Sequence, residues 1–223
     1  VEFNYIASSP VPMHVVTYND LMDEPHEGDW PYSVGFPQNT IVRYNYLDAT
    51  GMGVAFQIGG VATTNDYTGF GDGEFYGNVI YNGRLYVGGY NYFGASWKFY
   101  NNTVYNTEVN GKAFWIHSSA IGTENIEVRN NILVATQSSG VYVWQDESGN
   151  IAPENHSNNI IYKPGSMMMN AGGTFCLPGT IANCESTAIS ADTTFTGGDL
   201  PTGFSNNRPN TDYFLPQATS PAF

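Results

Sequence analysis

One asparagine recurs along this chain in a constant setting, and that recurrence constrains the fold more than any other feature. Six segments align on it: Val-Glu-Phe-Asn-Tyr-Ile (1–6), Val-Arg-Tyr-Asn-Tyr-Leu (42–47), Phe-Tyr-Gly-Asn-Val-Ile (75–80), Phe-Tyr-Asn-Asn-Thr-Val (99–104), Val-Arg-Asn-Asn-Ile-Leu (128–133) and His-Ser-Asn-Asn-Ile-Ile (156–161). The aligned residues are Asn4, Asn45, Asn78, Asn102, Asn131 and Asn159, separated by 41, 33, 24, 29 and 28 positions. Two places after each stands an aliphatic residue: Ile6, Leu47, Ile80, Val104, Leu133 and Ile161. Three places before it, five of the six carry Val or Phe. Such alternation describes a strand with one buried face. A variable period with a fixed core position describes one coil per repeat, with insertions confined to loops. A single domain of 223 residues is long enough for one sizeable core.

A second strand follows in most coils, over 53–58, 84–87, 113–117 and 140–144. Its alternation predicts Val54, Leu85, Phe114 and Val141 pointing inward, with Phe56, Val87, Ile116 and Val143. Asparagine at the corner fits a sharp bend, because it tolerates left-handed backbone better than other side chains. Coils stacked about 4.8 Å apart also let equivalent amides bond to one another.

These segments, above all 99–104, 126–133 and 156–162, resemble the degenerate repeat of the pectate-lyase-like superfamily. The resemblance covers roughly residues 1–165 and implies an all-β, single-stranded right-handed parallel β-helix of about six coils. Residues 1–165 form the coils, with inserted loops at 17–40 and 59–74. Residues 166–223 form the last coil, a Cys-containing loop and a closing segment. The stretch 212–223 is similar to the closing segment of many secreted β-helix proteins. Val1 is already in phase with a repeat, so earlier coils of a longer solenoid, or a second subunit in end-to-end association, are expected to cover that end.

Composition narrows the partners. Acids outnumber bases 20 to 7, a formal charge of −13, which disfavours nucleic acid, whose phosphates need clustered Lys and Arg. No apolar run reaches the ~18 residues of a membrane-spanning helix. Cys176 and Cys184 lie eight apart and read either as a loop-pinning disulfide or as two free thiols. A disulfide fits an extracellular or cell-surface location. Asn101 and Asn155 stand in glycosylation sequons.

The outward positions of the second strand predict a column of Ala55, Tyr86, Trp115 and Tyr142, followed two residues on by Gln57, His117 and Trp144. Flat aromatic faces in file suit sugar rings. Tyr86, Trp115, Tyr142, Trp144 and Gln57 are therefore the expected substrate-binding residues for a polysaccharide or other glycan. His117, Arg129, Lys112 and Asp146 are the candidate catalytic groups, as base, carboxylate partner or acid. Superfamily members acting on uronates pair a base with a charge neutraliser, and the hydrolases pair two carboxylates. Trp-Ile-His at 115–117 resembles a pectate lyase segment, without the acid usual there. The acidic loop 19–31 carries Asp20, Asp23, Glu24, Glu27 and Asp29 beside His26, a density of hard oxygen ligands suited to Ca²⁺. Asp66, Asp72 and Glu74 offer a second, weaker set.

The expectation is an extracellular carbohydrate-active protein that binds and cleaves a polysaccharide, as a lyase or glycosidase. The alternative is a non-catalytic surface, adhesin or filament-forming module.

Overall fold

A computed structural model of the chain describes residues 5–7, 13–15, 39–51, 53–58, 72–88, 96–108, 111–117, 125–136, 142–147, 151, 155–163, 169–171, 174–176, 180, 182 and 184–190. The strands form three sheets that wind around one core as a parallel β-helix.

Each full coil contributes one strand to each sheet. The first sheet contains β3 (Thr40–Arg43), β6 (Gly73–Tyr76), β9 (Trp97–Tyr100), β12 (Ile126–Arg129) and β15 (His156–Ser157). The second contains β1 (Tyr5–Ala7), β4 (Tyr46–Asp48), β7 (Val79–Tyr81), β10 (Thr103–Asn106), β13 (Ile132–Ala135) and β16 (Ile160–Tyr162). The third contains β2 (Met13–Val15), β5 (Phe56–Ile58), β8 (Leu85–Val87), β11 (Phe114–Ile116), β14 (Trp144–Asp146) and β17 (Met169–Ala171), closed by β18 (Thr174–Cys176). Every pairing is parallel except that of β17 with β18, which is antiparallel.

The aligned residues become vertical neighbours. Leu47, Ile80, Val104, Leu133 and Ile161 pair in register and lie inside the helix at 0–1% exposure. Phe75 and Phe99 stack in the first sheet, and Phe75 meets Phe56 of the third across the core with ring centroids 4.2 Å apart. Each such side chain contributes about 1.5–3 kcal/mol by leaving water.

Asn45, Asn78, Asn102, Asn131 and Asn159 form one continuous hydrogen-bonded file between the first and second sheets, each at most 2% exposed. The backbone N–H and Nδ2 of each donate to Oδ1 of the next: from Asn102 to Asn131 both distances are 3.0 Å. Nδ2 of Asn102 also donates to the Phe75 carbonyl at 2.9 Å, so the buried amide has its partners. Asn4 lies outside the described residues.

The left-handed bend is not made by these asparagines. The residue before each carries the positive φ: Tyr44 (55°), Gly77 (63°), Asn101 (56°), Asn130 (53°) and Asn158 (56°). The ladder residue is thereby released to hold its amide along the helix axis, while its predecessor absorbs the turn. Tyr44 is the unusual member, since a bulky side chain in this region costs about 1–2 kcal/mol.

Cys176 and Cys184 are joined by a disulfide with Cα atoms 6.1 Å apart, both buried. No helix among the described residues is long and apolar enough to cross a membrane.

Candidate functional site on the third sheet

The outward side of the third sheet differs in register from the column expected of the sequence. Strand pairing aligns Gln57, Tyr86, Trp115 and Gln145 as one outward row. Trp144 instead pairs with Phe114 and points inward, 1% exposed, its ring 5.5 Å from that of Phe114. It is a core residue and presents no face to a sugar on the outer surface.

The reason is local. Strict alternation holds within a strand but fails at the bend before it, where two consecutive residues face the core. Ala55 and Phe56, Ala113 and Phe114, and Val143 and Trp144 are each buried as pairs. Ala55 is therefore inside, not outward. Val54, expected inside, is half-buried, and Val141 lies outside the described residues. Tyr142 precedes Trp144 by two residues, which sets it level with Lys112 rather than with Trp115.

Two candidate catalytic residues are also displaced. Asp146 takes the inward position next to Ile116, at 3% exposure, out of reach of a polymer on the outer surface. Arg129 belongs to β12 on the first sheet, where it pairs with Glu127 at 3.0 Å. It therefore sits on a different face from His117, and the two cannot serve one reacting bond from their own sheets.

What remains together is compact. Tyr86 and Trp115 have ring centroids 5.0 Å apart at 54°, and His117 lies 5.2 Å from Trp115 and 6.4 Å from Tyr86. Lys112 Nζ stands 3.8 Å from the Trp115 ring centre and Arg84 Cζ 4.8 Å from it. Glu147 Oε1 is 4.0 Å from Lys112 Nζ. All of these side chains are half-buried, which strengthens cation–π attraction relative to a fully hydrated site. Gly88 permits the arrangement: a Cβ there would collide with the ring and hydroxyl of Tyr86.

Burial holds the Lys112 ammonium below its ordinary range, opposed by Glu147 and reinforced by Arg84. Burial likewise lowers Arg84, opposed by Tyr86 and Glu108. Nε of Arg84 and Nε1 of Trp115 are buried and make no hydrogen bond. Two partly desolvated cations on an aromatic surface thus stand out in a strongly acidic molecule.

Sequence pattern alone does not mark Arg84. It lies at the bend ahead of Leu85, where the strand pattern carries no information about direction. Its signal was scarcity, because the chain has only seven Lys and Arg in all.

The first sheet presents a different surface. Asp72, Glu74, Ser96, Lys98 and Glu127 line a concavity of about 500 Å³. Beside it Tyr76 and Tyr100 stack at 4.7 Å, and the Tyr100 hydroxyl donates to Glu74 Oε2 at 2.8 Å. Burial, together with this carboxylate, pushes the Tyr100 phenol well above its ordinary range.

The acidic candidates Asp20, Asp23, Glu24, Glu27 and Asp29 lie outside the described residues, as does Asp66. Among the described residues, no group of three or more His, Cys, Asp or Glu is arranged to hold a metal ion.

No protein-family model, curated protein or solved structure matches the chain at a significant level.

Proposed function

We propose that this chain is an extracellular β-helix of the pectate-lyase-like kind that binds an acidic polysaccharide along the outer face of its third sheet. The supporting observation is the cluster in which Lys112 and Arg84 approach Trp115 within 3.8 and 4.8 Å beside Tyr86 and His117. Half-buried cations have already lost part of their hydration, so a sugar carboxylate meets them at reduced desolvation cost. Tyr86 and Gln57 on neighbouring coils extend the surface along the axis, the direction in which an extended polymer would lie. An overall charge of −13 opposes a polyanion, so its binding depends on the local pair of cations, Lys112 and Arg84.

Cleavage is the further part of this reading. β-Elimination needs a base that removes the proton next to a carboxylate and a cation that stabilises the charge formed there. Lys112 and Arg84 are the cations placed to stabilise that charge, and His117, 5.2 Å from Trp115, is the group placed to move the proton. The disulfide supports an oxidising, exported location.

A second reading, a non-catalytic surface module, is favoured by one observation. Lys112 is engaged at once by Trp115 and Glu147, as in a purely structural cluster. The deciding experiment titrates uronate-containing and neutral polysaccharides against the protein by calorimetry and follows absorbance of unsaturated uronate products. Binding of uronates with no product selects the module. Product that disappears in His117→Ala, with binding retained, selects the lyase. No heat with any uronate polymer removes both glycan readings.

A further inference from the structure

The polar file of asparagines does not simply stop after Asn159. Its next partner is Glu185, whose Oε1 accepts the backbone N–H of Asn159 at 2.8 Å and whose Oε2 accepts Nδ2 at 3.0 Å. A carboxylate is chemically suited to this place. Each asparagine offers its acceptor to the preceding coil and its donors to the following one, so the last member needs a partner that accepts. Glu185 is 2% exposed, and His156 Nδ1 lies 3.5 Å from its Oε2, at ion-pair distance though without hydrogen-bond geometry.

Two further features converge on the same end. Residues after Glu185 lie against β16, with Ile161 N–H donating to the Ile189 carbonyl and Ile189 N–H to the Asn159 carbonyl, each at 2.9 Å. The third sheet ends on the antiparallel strand β18, whose last residue is Cys176. Its disulfide partner, Cys184, immediately precedes Glu185. One covalent bond therefore ties the strand that closes the third sheet to the carboxylate that closes the polar file.

We propose that Glu185 and the Cys176–Cys184 disulfide form a redox-sensitive lock on the last coil. With the bond intact, Glu185 is held against Asn159 and the edge of β16 is covered. A dithiol reductant delivers two electrons and two protons to the Sγ–Sγ bond, yielding two thiols while itself closing to a disulfide. Freed of that tie, the segment carrying Glu185 gains chain entropy when it detaches, and Asn159 loses its acceptors. The edge of β16 then opens to exchange with solvent. Both cysteines are buried, Cys176 fully and Cys184 at 7% exposure, so reductant reaches the bond only when the lock opens transiently. The rate of reduction consequently reports the strength of the carboxylate contact. This device is independent of any glycan.

The test uses the intact chain. Reduction of Cys176–Cys184 by dithiothreitol is timed by alkylation and mass spectrometry in the wild type, in Glu185→Ala and in the surface control Lys98→Ala. Amide hydrogen exchange over 159–163 is measured before and after reduction. The expected result is reduction at least about tenfold faster in Glu185→Ala, from loss of charged hydrogen bonds, and unchanged in Lys98→Ala. Protection over 159–163 should collapse on reduction while that over 102–106 persists. Equal reduction rates in wild type and Glu185→Ala, or protection over 159–163 that survives reduction, overturns the lock. Should Glu185→Ala not fold, Glu185→Gln, which keeps one accepting oxygen, and exchange of the reduced wild type decide the matter in the same way.

Discussion

Lys112 holds its Nζ 3.8 Å from the centre of the Trp115 ring and 4.0 Å from Glu147 Oε1. The ammonium is thus positioned from two directions without being fully withdrawn from solvent. If this pair reads a sugar carboxylate, Lys112→Met weakens uronate binding about tenfold, the effect of losing one charged hydrogen bond. Trp115→Phe, which keeps a ring under the cation, weakens it less. Calorimetric titration distinguishes the two, and equal affinities in Lys112→Met and wild type would remove Lys112 from the site.

The same lysine carries a pH signature. Its folded-state value is lowered, so between that value and about 10.4 the unfolded chain binds a proton that the folded chain does not. Stability attributable to Lys112 therefore rises with pH through this window. Urea midpoints from neutral pH to about 10 should climb more in the wild type than in Lys112→Met.

Within the polar file, Asn102 accepts two hydrogen bonds from Asn78 and donates to Phe75 and Asn131. Asn102→Ala strands several of these buried groups and should cost about 3–5 kcal/mol. Denaturant unfolding measures the loss. Asn101→Gly, at the exposed neighbour with positive φ, should change stability by no more than about 1 kcal/mol.

At Gly77 the backbone has φ +63°, and an added Cβ would fall 2.7 Å from the Tyr44 ring. Gly77→Ala should destabilise by about 2 kcal/mol, combining left-handed strain with displacement of the ring. The double variant Gly77→Ala/Tyr44→Ala should recover the clash component, and a double-mutant cycle reads it directly.

Calcium offers a separate check on the acidic stretch. If Asp20, Asp23, Glu24, Glu27 and Asp29 supply a site, millimolar Ca²⁺ raises the melting temperature and chelation lowers it. Asp23→Asn/Glu24→Gln would abolish the difference. A melting curve indifferent to Ca²⁺ ends the proposal.

The repeat was legible because the side chains that make it are forced by geometry to be alike. Leu47, Ile80, Val104, Leu133 and Ile161 occupy one position of a stacked strand, and each must be aliphatic. The asparagines were legible for the same reason, since each bonds to its copy in the next coil. The bend was read less well: the positive φ belongs to Tyr44, Gly77, Asn101, Asn130 and Asn158, one residue earlier, where residue type varies because only backbone tolerance is demanded. Of the candidate site, Tyr86, Trp115, His117 and Lys112 come together, whereas Trp144, Asp146 and Arg129 do not.

Sequence alone determined that the chain coils and which aliphatic column lies inside, because period-two burial and a repeating polar corner are written in residue identity. Only the tertiary structure decided which way Trp144 and Asp146 face, and that Arg84 leans on Trp115 from a neighbouring coil. Those outcomes depend on where each strand begins relative to its bend. A one-residue displacement there reverses inside and outside while leaving the alternating pattern unchanged.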